Sequence, residues 1–148
     1  MDLRTAQLSD LDALVQSNLS LAWETEDLKL DQKTVEAGVR AVLEDPSKGR
    51  YLVVEQNKQI IASLMITHEW SDWRNKNIAW IQSVFVQKAE RKKGHFTRLF
   101  GEVEKLCQKD EYCGIRLYAD KSNQSALEVY QKLGLNDDHY IFLEKMNF

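Results

Sequence analysis

Apolar and polar positions recur along this chain in two periods, and the switches between them mark out its elements. A short apolar start over residues 3–6 predicts a first strand. Leu11, Leu14, Val15, Asn18, Leu19 and Ala22 then repeat at helical spacing, with Ser9 and Asp12 before them in the manner of a capping box. After a break at Trp23, Asp31 is placed to cap a second helix with the face Val35, Val39, Val42 and Leu43, stopped at Asp45-Pro46. Two β-rich runs, 51–54 and 60–67, flank the polar turn 56–59, and a third run, 78–86, follows the polar connection 68–77. Three consecutive strands with short connections favour an antiparallel meander. Phe96, Leu99, Phe100, Val103 and Leu106 return to the helical period, and residues 115–119 form the next strand. Ala126, Leu127, Tyr130 and Leu133 mark a further helix, ended by Gly134, and residues 139–146 alternate as a last strand.

The stretch 80–100 organises the rest. It passes from a buried strand through a basic turn with one glycine into a helix. That order aims backbone N–H groups and the positive end of a helix dipole at one spot, suited to an anion such as a phosphate. Lys88, Arg91, Lys92 and Lys93 surround the spot with positive charge.

Composition narrows the class. A chain of 148 residues fits one domain, 1–148, with a real core, and 43% apolar and 29% charged residues are ordinary for a soluble globular protein. No apolar run reaches the length of a membrane span and the polar start lacks a signal-peptide region, so a cytoplasmic protein without membrane partners is expected. Cys107, Cys113 and the scattered His68, His95 and His139 offer neither a disulfide framework nor metal-ligand spacing. A net charge of −3, with basic residues gathered only at 88–93, argues against nucleic acid as a partner.

Two segments resemble signatures of the GNAT superfamily of N-acetyltransferases. Arg91-Lys-Lys-Gly94-His-Phe96 is similar to R/Q-x-x-G-x-G/A, with Phe96 where the family has Gly or Ala. The second, N-x-x-A-x-x-x-Y-x-x-L-G-[FL], is matched at Asn123, Ala126, Tyr130, Leu133, Gly134 and Leu135. The resemblance implies an α/β (α+β) GNAT fold: a central mixed, mostly antiparallel sheet flanked by helices, with splayed strands forming an acetyl-CoA cleft. It implies acetyl-CoA as cosubstrate and no metal. Val84, Phe85 and Val86 would pair with pantetheine, while Arg91, Lys92, Lys93, Gly94, His95, Phe96 and Thr97 would hold the pyrophosphate, largely through amides. Asn123 would contact the pantetheine arm and Tyr130 would act as general acid to the departing sulfur. A Phe96 ring turned into the core leaves its amide available; turned outward, it distorts the pyrophosphate site. His95 is expected on the exposed helix start, contributing only its backbone.

The acceptor is expected to be a small primary amine, cationic and polyamine- or amino-acid-like. Glu24 near Trp23, and Glu69, Trp70 and Asp72 in the polar connection, are candidates to receive it. The bland alternatives are that the acids are merely solvated and that Trp70 and Trp73 cap the core. Polyamine acetyltransferases of the superfamily place an acid where Gln82 stands, so Glu69 is the leading candidate for the base, with Glu24 and Asp72 behind it. A non-catalytic acetyl-CoA-binding module, an acetyltransferase of protein lysine or N-terminal amines, and a homodimer paired through the C-terminal strand stay open.

Overall fold

Long apolar runs in the central strands require cover on both faces of a sheet, and the computed structural model, which describes residues 1–146, supplies it from helices. The chain falls into two compact units, Met1–Arg116 and Leu117–Phe148. The first holds β1 (Asp2–Thr5), α1 (Leu11–Glu26), α2 (Gln32–Glu44), β2 (Arg50–Gln56), β3 (Gln59–Ser71), β4 (Lys76–Val86), α3 (His95–Gln108) and the start of β5 (Ile115–Leu117). The second holds α4 (Gln124–Lys132).

The sheet order is β1-β2-β3-β4-β5, with antiparallel pairs from β1 through β4. Cys113 N–H donates to Asn77 O and Ala79 N–H to Gly114 O, both at 2.9 Å, advancing the same way along both segments and making the sheet mixed. On one face, Leu11, Leu14, Val15 and Val39 of the first two helices bury against Tyr51, Val53 and Ile60. Alternate residues of the same strands, such as Leu52, Leu64, Ile66 and Ile81, point the other way, where α3 brings Leu99, Phe100 and Val103.

The structure revises several expectations. The connection 68–77 is not a loop: β3 runs to Ser71 and β4 starts at Lys76, leaving a turn over residues 72–75. Polar residues in this stretch occupy a half-exposed sheet face, where alternation tolerates them. Ser9 does not cap α1. Asp10 stands there, its carboxylate accepting from Gln7 N–H at 2.7 Å and from Arg4 Nη1 and Nη2 at 2.7 and 2.9 Å. Asp31 does cap α2, accepting from Thr34 N–H at 2.9 Å. Residues 139–146 do not form the expected strand: alternation sets a side-chain pattern but does not by itself make a ladder. Tyr140, Ile141, Phe142 and Leu143 are exposed, and Phe142 stacks on Tyr118 with ring centroids 4.7 Å apart. No helix among the described residues is long and apolar enough to cross a membrane.

Arg4, which also pairs with Glu55, ties β1 to β2 and to the start of α1 through the nearly buried Asp10. The hydrogen bonds from Arg4 hold the Asp10 carboxyl below the usual carboxylate range, with the Gln7 amide assisting and burial opposing. A carboxyl whose folded pKa lies below its unfolded one stabilises fully above the unfolded value, and the contribution fades as pH falls through the folded value. Asp10→Asn is therefore expected to cost about 2 kcal/mol at neutral pH. In urea unfolding, the gap to wild type should narrow as pH drops below about 4; a gap independent of pH would contradict this account.

Candidate functional site

The end of β4 and the start of α3 are joined by a turn that is tied down at several points. Gln87 donates its backbone N–H to Ile61 O at 2.9 Å and its Nε2 to Ile60 O at 2.7 Å, which anchors the last step of β4 to β3. Arg91 Nε donates to Val86 O at 3.1 Å, folding the turn back on the strand it leaves. Lys92 has φ 64° and Gly94 φ 80°, so the chain enters the left-handed region twice before α3 begins. Arg98 N–H to Gly94 O, 3.0 Å, is the first helical bond, and no side chain caps the amides ahead of it. The first-turn N–H groups of a helix have no acceptor within it. With the dipole behind them, the first-turn amides from His95 to Thr97 lie where negative charge is favoured.

Side chains stiffen the cradle. His95 is buried, not exposed as expected: its Nε2 lies 3.1 Å from Glu90 Oε2, and Lys93 Nζ donates to Glu90 Oε1 at 3.0 Å. The Lys93 bond first, then His95, holds the Glu90 carboxyl below its ordinary range, which keeps it an acceptor for both. Phe96 packs along the helix against buried Phe100, with ring centroids 5.9 Å apart. Its bulk is thus spent on packing, and its amide lies in the first turn of α3. Gly94 has no atom within 4 Å of where a Cβ would stand, so its role lies in backbone conformation, not close approach.

Val84, Phe85 and Val86 are half-buried at the C-terminal end of β4, where Phe85 pairs with Ser63 and Val86 with Ala62. Just before them the ladder breaks register, with Ser83 and Val84 set opposite Leu64. Ser83 has φ 52°, the one non-glycine residue at positive φ inside a strand among the described residues. Sequence reading passed over this bulge, although Gln82-Ser83, two polar residues in an apolar run, signals a slip in alternation.

The acceptor candidates are dispersed. Glu24, at the C-terminal end of α1, pairs with Arg91 of the turn, so a cation of the protein itself already meets it. Trp23 beside it is exposed. Gln82 Nε2 donates to Thr67 Oγ1 at 3.0 Å in the middle of the β3–β4 ladder. Glu69 accepts from Arg116 Nη1 on both oxygens, at 3.0 and 2.9 Å. Trp70 pairs with Asn77, nine residues back along β4 from Val86, roughly 30 Å at about 3.3 Å per residue. Trp70 and Trp73 are 61% and 87% exposed, so neither caps the core, and Asp72 accepts from Trp73 N–H at 2.9 Å in the turn between the strands.

In the second unit, Asn123 caps α4 by accepting from Ala126 N–H at 3.2 Å. Gly134, at φ 84°, closes the helix with Leu135 N–H to Tyr130 O and Gly134 N–H to Gln131 O, both 3.0 Å, a Schellman end. Half-buried Tyr130 has its hydroxyl pKa pushed up by burial, so at neutral pH it is a proton donor.

Gly94 and Gly101 offer a matched test of the turn. Neither site would meet an atom within 4 Å on gaining a Cβ, but Gly101 lies in the interior of α3 at ordinary helical geometry. Gly94→Ala should destabilise by about 1 kcal/mol and Gly101→Ala should stabilise by a similar amount. Gly94→Ala alone should weaken pyrophosphate binding measured by calorimetry. Equal effects of the two substitutions would remove the left-handed turn from the site.

The family model of the acetyltransferase (GNAT) family matches residues 8–135. A crystal structure of a possible acetyltransferase from Clostridium difficile 630 is 41% identical, over 99% of this chain and 97% of that one, with a TM-score of 0.91. A predicted acetyltransferase from Clostridium acetobutylicum, solved with acetyl-CoA, is 22% identical over 97% and 95% of the two chains at a TM-score of 0.74. A ribosomal-protein-alanine N-acetyltransferase from Brucella melitensis shares 12% identity over 99% of each chain at 0.80. These last two show likeness of fold. No curated protein matches the chain.

Proposed function

Because the chain belongs to the acetyltransferase (GNAT) family, we propose that it transfers an acetyl group from acetyl-CoA to a primary amine of a small molecule. The observation that carries this reading is the turn before α3, with uncapped first-turn amides, a left-handed Gly94 and Arg91 alongside. These groups fit a diphosphate, because several N–H donors and a guanidinium converge where negative charge is favoured. When bound, acetyl-CoA supplies an activated thioester. The half-buried strand end Val84–Val86 offers backbone groups for the pantetheine arm, and Asn123 is proposed to contact the same arm.

Tyr130 is assigned the proton given to the departing sulfur. Its raised pKa keeps that proton in place at neutral pH, and the thiol's ordinary pKa of about 8.5 means a hydrogen bond suffices to help it leave. A protonated amine must lose a proton before attacking; Glu69 is the candidate base, but it stands opposite Ile78, six residues or about 20 Å back along β4 from Val84, so it can take that proton only through a relay of waters. Both its oxygens already accept from Arg116, so a proton reaches Glu69 only as that pair loosens. The same pairing favours a second reading, a module that binds acetyl-CoA without turnover.

A thiol-release assay with acetyl-CoA and a panel of polyamines, amino acids, aminoglycosides and lysine peptides separates the two. Turnover with a small amine is expected; coenzyme binding without release on any amine would favour the module. Tyr130→Phe should lower kcat by about 10²-fold with the KM for acetyl-CoA nearly unchanged. Glu69→Gln should slow the reaction most at low pH, and an unaltered pH profile would exclude Glu69 as the base.

A further inference from the structure

Opposite helix ends meet beside the end of β4. There α3 begins, with its positive end, and α1 finishes, with its negative one. The last turn of α1 carries Glu24 and Glu26 and no basic residue. Arg91 bridges the two ends: its Nε donates to Val86 O at 3.1 Å, and its Nη2 donates to Glu24 Oε2. Glu24 therefore stands one guanidinium away from the backbone of Val86. Glu69, opposite Ile78, and Asp72, in the turn between β3 and β4, lie toward the other end of that strand. Of the three acids considered for the acceptor, Glu24 is the one beside the strand end assigned to pantetheine.

Arg91 thus faces two anions. A diphosphate carries more negative charge than one carboxylate and offers more oxygens to the guanidinium fork. The pair with Glu24 is partly exposed on both sides, 42% and 36%, so it holds Arg91 only weakly against that competitor. Drawing Arg91 toward a diphosphate leaves Glu24 without its cation, at a helix end that favours one. An ammonium can take the place of the guanidinium. A nitrogen held there as a cation is not the one that attacks, because attack needs the neutral amine. The acceptor that fits carries two amines, one charged at Glu24 and one that reacts.

We propose that Arg91 and Glu24 form an exchange pair: the coenzyme diphosphate draws Arg91 away, and the released Glu24 receives the charged second nitrogen of a diamine acceptor. The use of this exchange in catalysis rests on the acetyl-transfer reading above; the coupled binding does not. Glu24 holds the charge of the acceptor and exchanges no proton with the reacting nitrogen.

Calorimetry with CoA and putrescine, followed by steady-state kinetics, tests this. With CoA in place, the wild type should bind putrescine about tenfold more tightly than it does alone, and by linkage putrescine should tighten CoA by the same factor. Glu24→Gln should abolish the coupling. Freed of an internal competitor, this variant should also bind CoA alone about threefold more tightly than wild type. Glu26→Gln removes a neighbouring acid at the same helix end and should leave the coupling intact, which separates exchange at Glu24 from a general change of charge. In turnover, putrescine should exceed butylamine, a monoamine of the same chain length, by about tenfold in kcat/KM, and Glu24→Gln should erase that preference. The proposal is overturned if putrescine does not bind, if it binds independently of CoA, or if Glu26→Gln also abolishes the coupling. It is equally overturned if Glu24→Gln weakens CoA binding, which would make Glu24 a support for Arg91 instead of its competitor. Coupled binding without thiol release on any amine would sink the acetyl-transfer reading and leave the exchange standing; turnover without coupling would do the reverse.

Discussion

The first turn of α3 carries N–H groups that its own helix cannot satisfy, and much of the surrounding structure keeps them pointed at one place. Gln87 pins the end of β4 to Ile60 and Ile61, Arg91 folds the turn back onto Val86, and Glu90 joins buried His95 to Lys93. Each contact is modest alone. Together they remove the freedom that an isolated glycine-containing turn would have, so binding an anion there requires little further ordering. The glycine supplies the left-handed step and the neighbours supply the rigidity.

The rest of the first unit is arranged around getting β4 to that point. The sheet is covered by α1 and α2 on one face and by α3 on the other, which explains the nearly continuous burial of Tyr51–Val54 and Ile60–Leu64. The β2–β3 ladder shifts register at Val54/Glu55 and the β3–β4 ladder opposite Leu64, and the second shift lies in the strand that leads to the turn before α3. A bulge raises local twist and re-aims the residues after it. Behind the sheet, Asn18 donates to the buried Tyr51 hydroxyl at 3.3 Å, tying α1 to β2.

Much of this was legible from residue order. The helical faces, the cap at Asp31, the glycine stop at Gly134 and the strand–turn–helix cradle all follow from local chemistry that neighbours in sequence decide. What could not be read depends on partners distant in the chain. Polar residues of 68–77 look like a loop until Arg116 is known to sit over Glu69 and Gln82 to meet Thr67. His95 looks exposed until Glu90 is seen to receive it, and Glu24 looks available to a substrate until Arg91 takes it. The alternation of 139–146 forecasts a strand that does not form, because alternation alone does not supply a ladder. The acceptor side suffers most, because aromatic and acidic residues clustered in sequence at 69–73 lie far along the sheet from Val86.

The central claim is that coenzyme is recognised chiefly through its diphosphate, by amides at the start of α3. Calorimetry comparing acetyl-CoA with S-acetylpantetheine, which carries the same thioester without the diphosphate, addresses it most directly. Binding of acetyl-CoA tighter by at least about 10²-fold is expected from several charge-assisted hydrogen bonds. Equal affinity for the two, or no heat of binding with either, would contradict the claim.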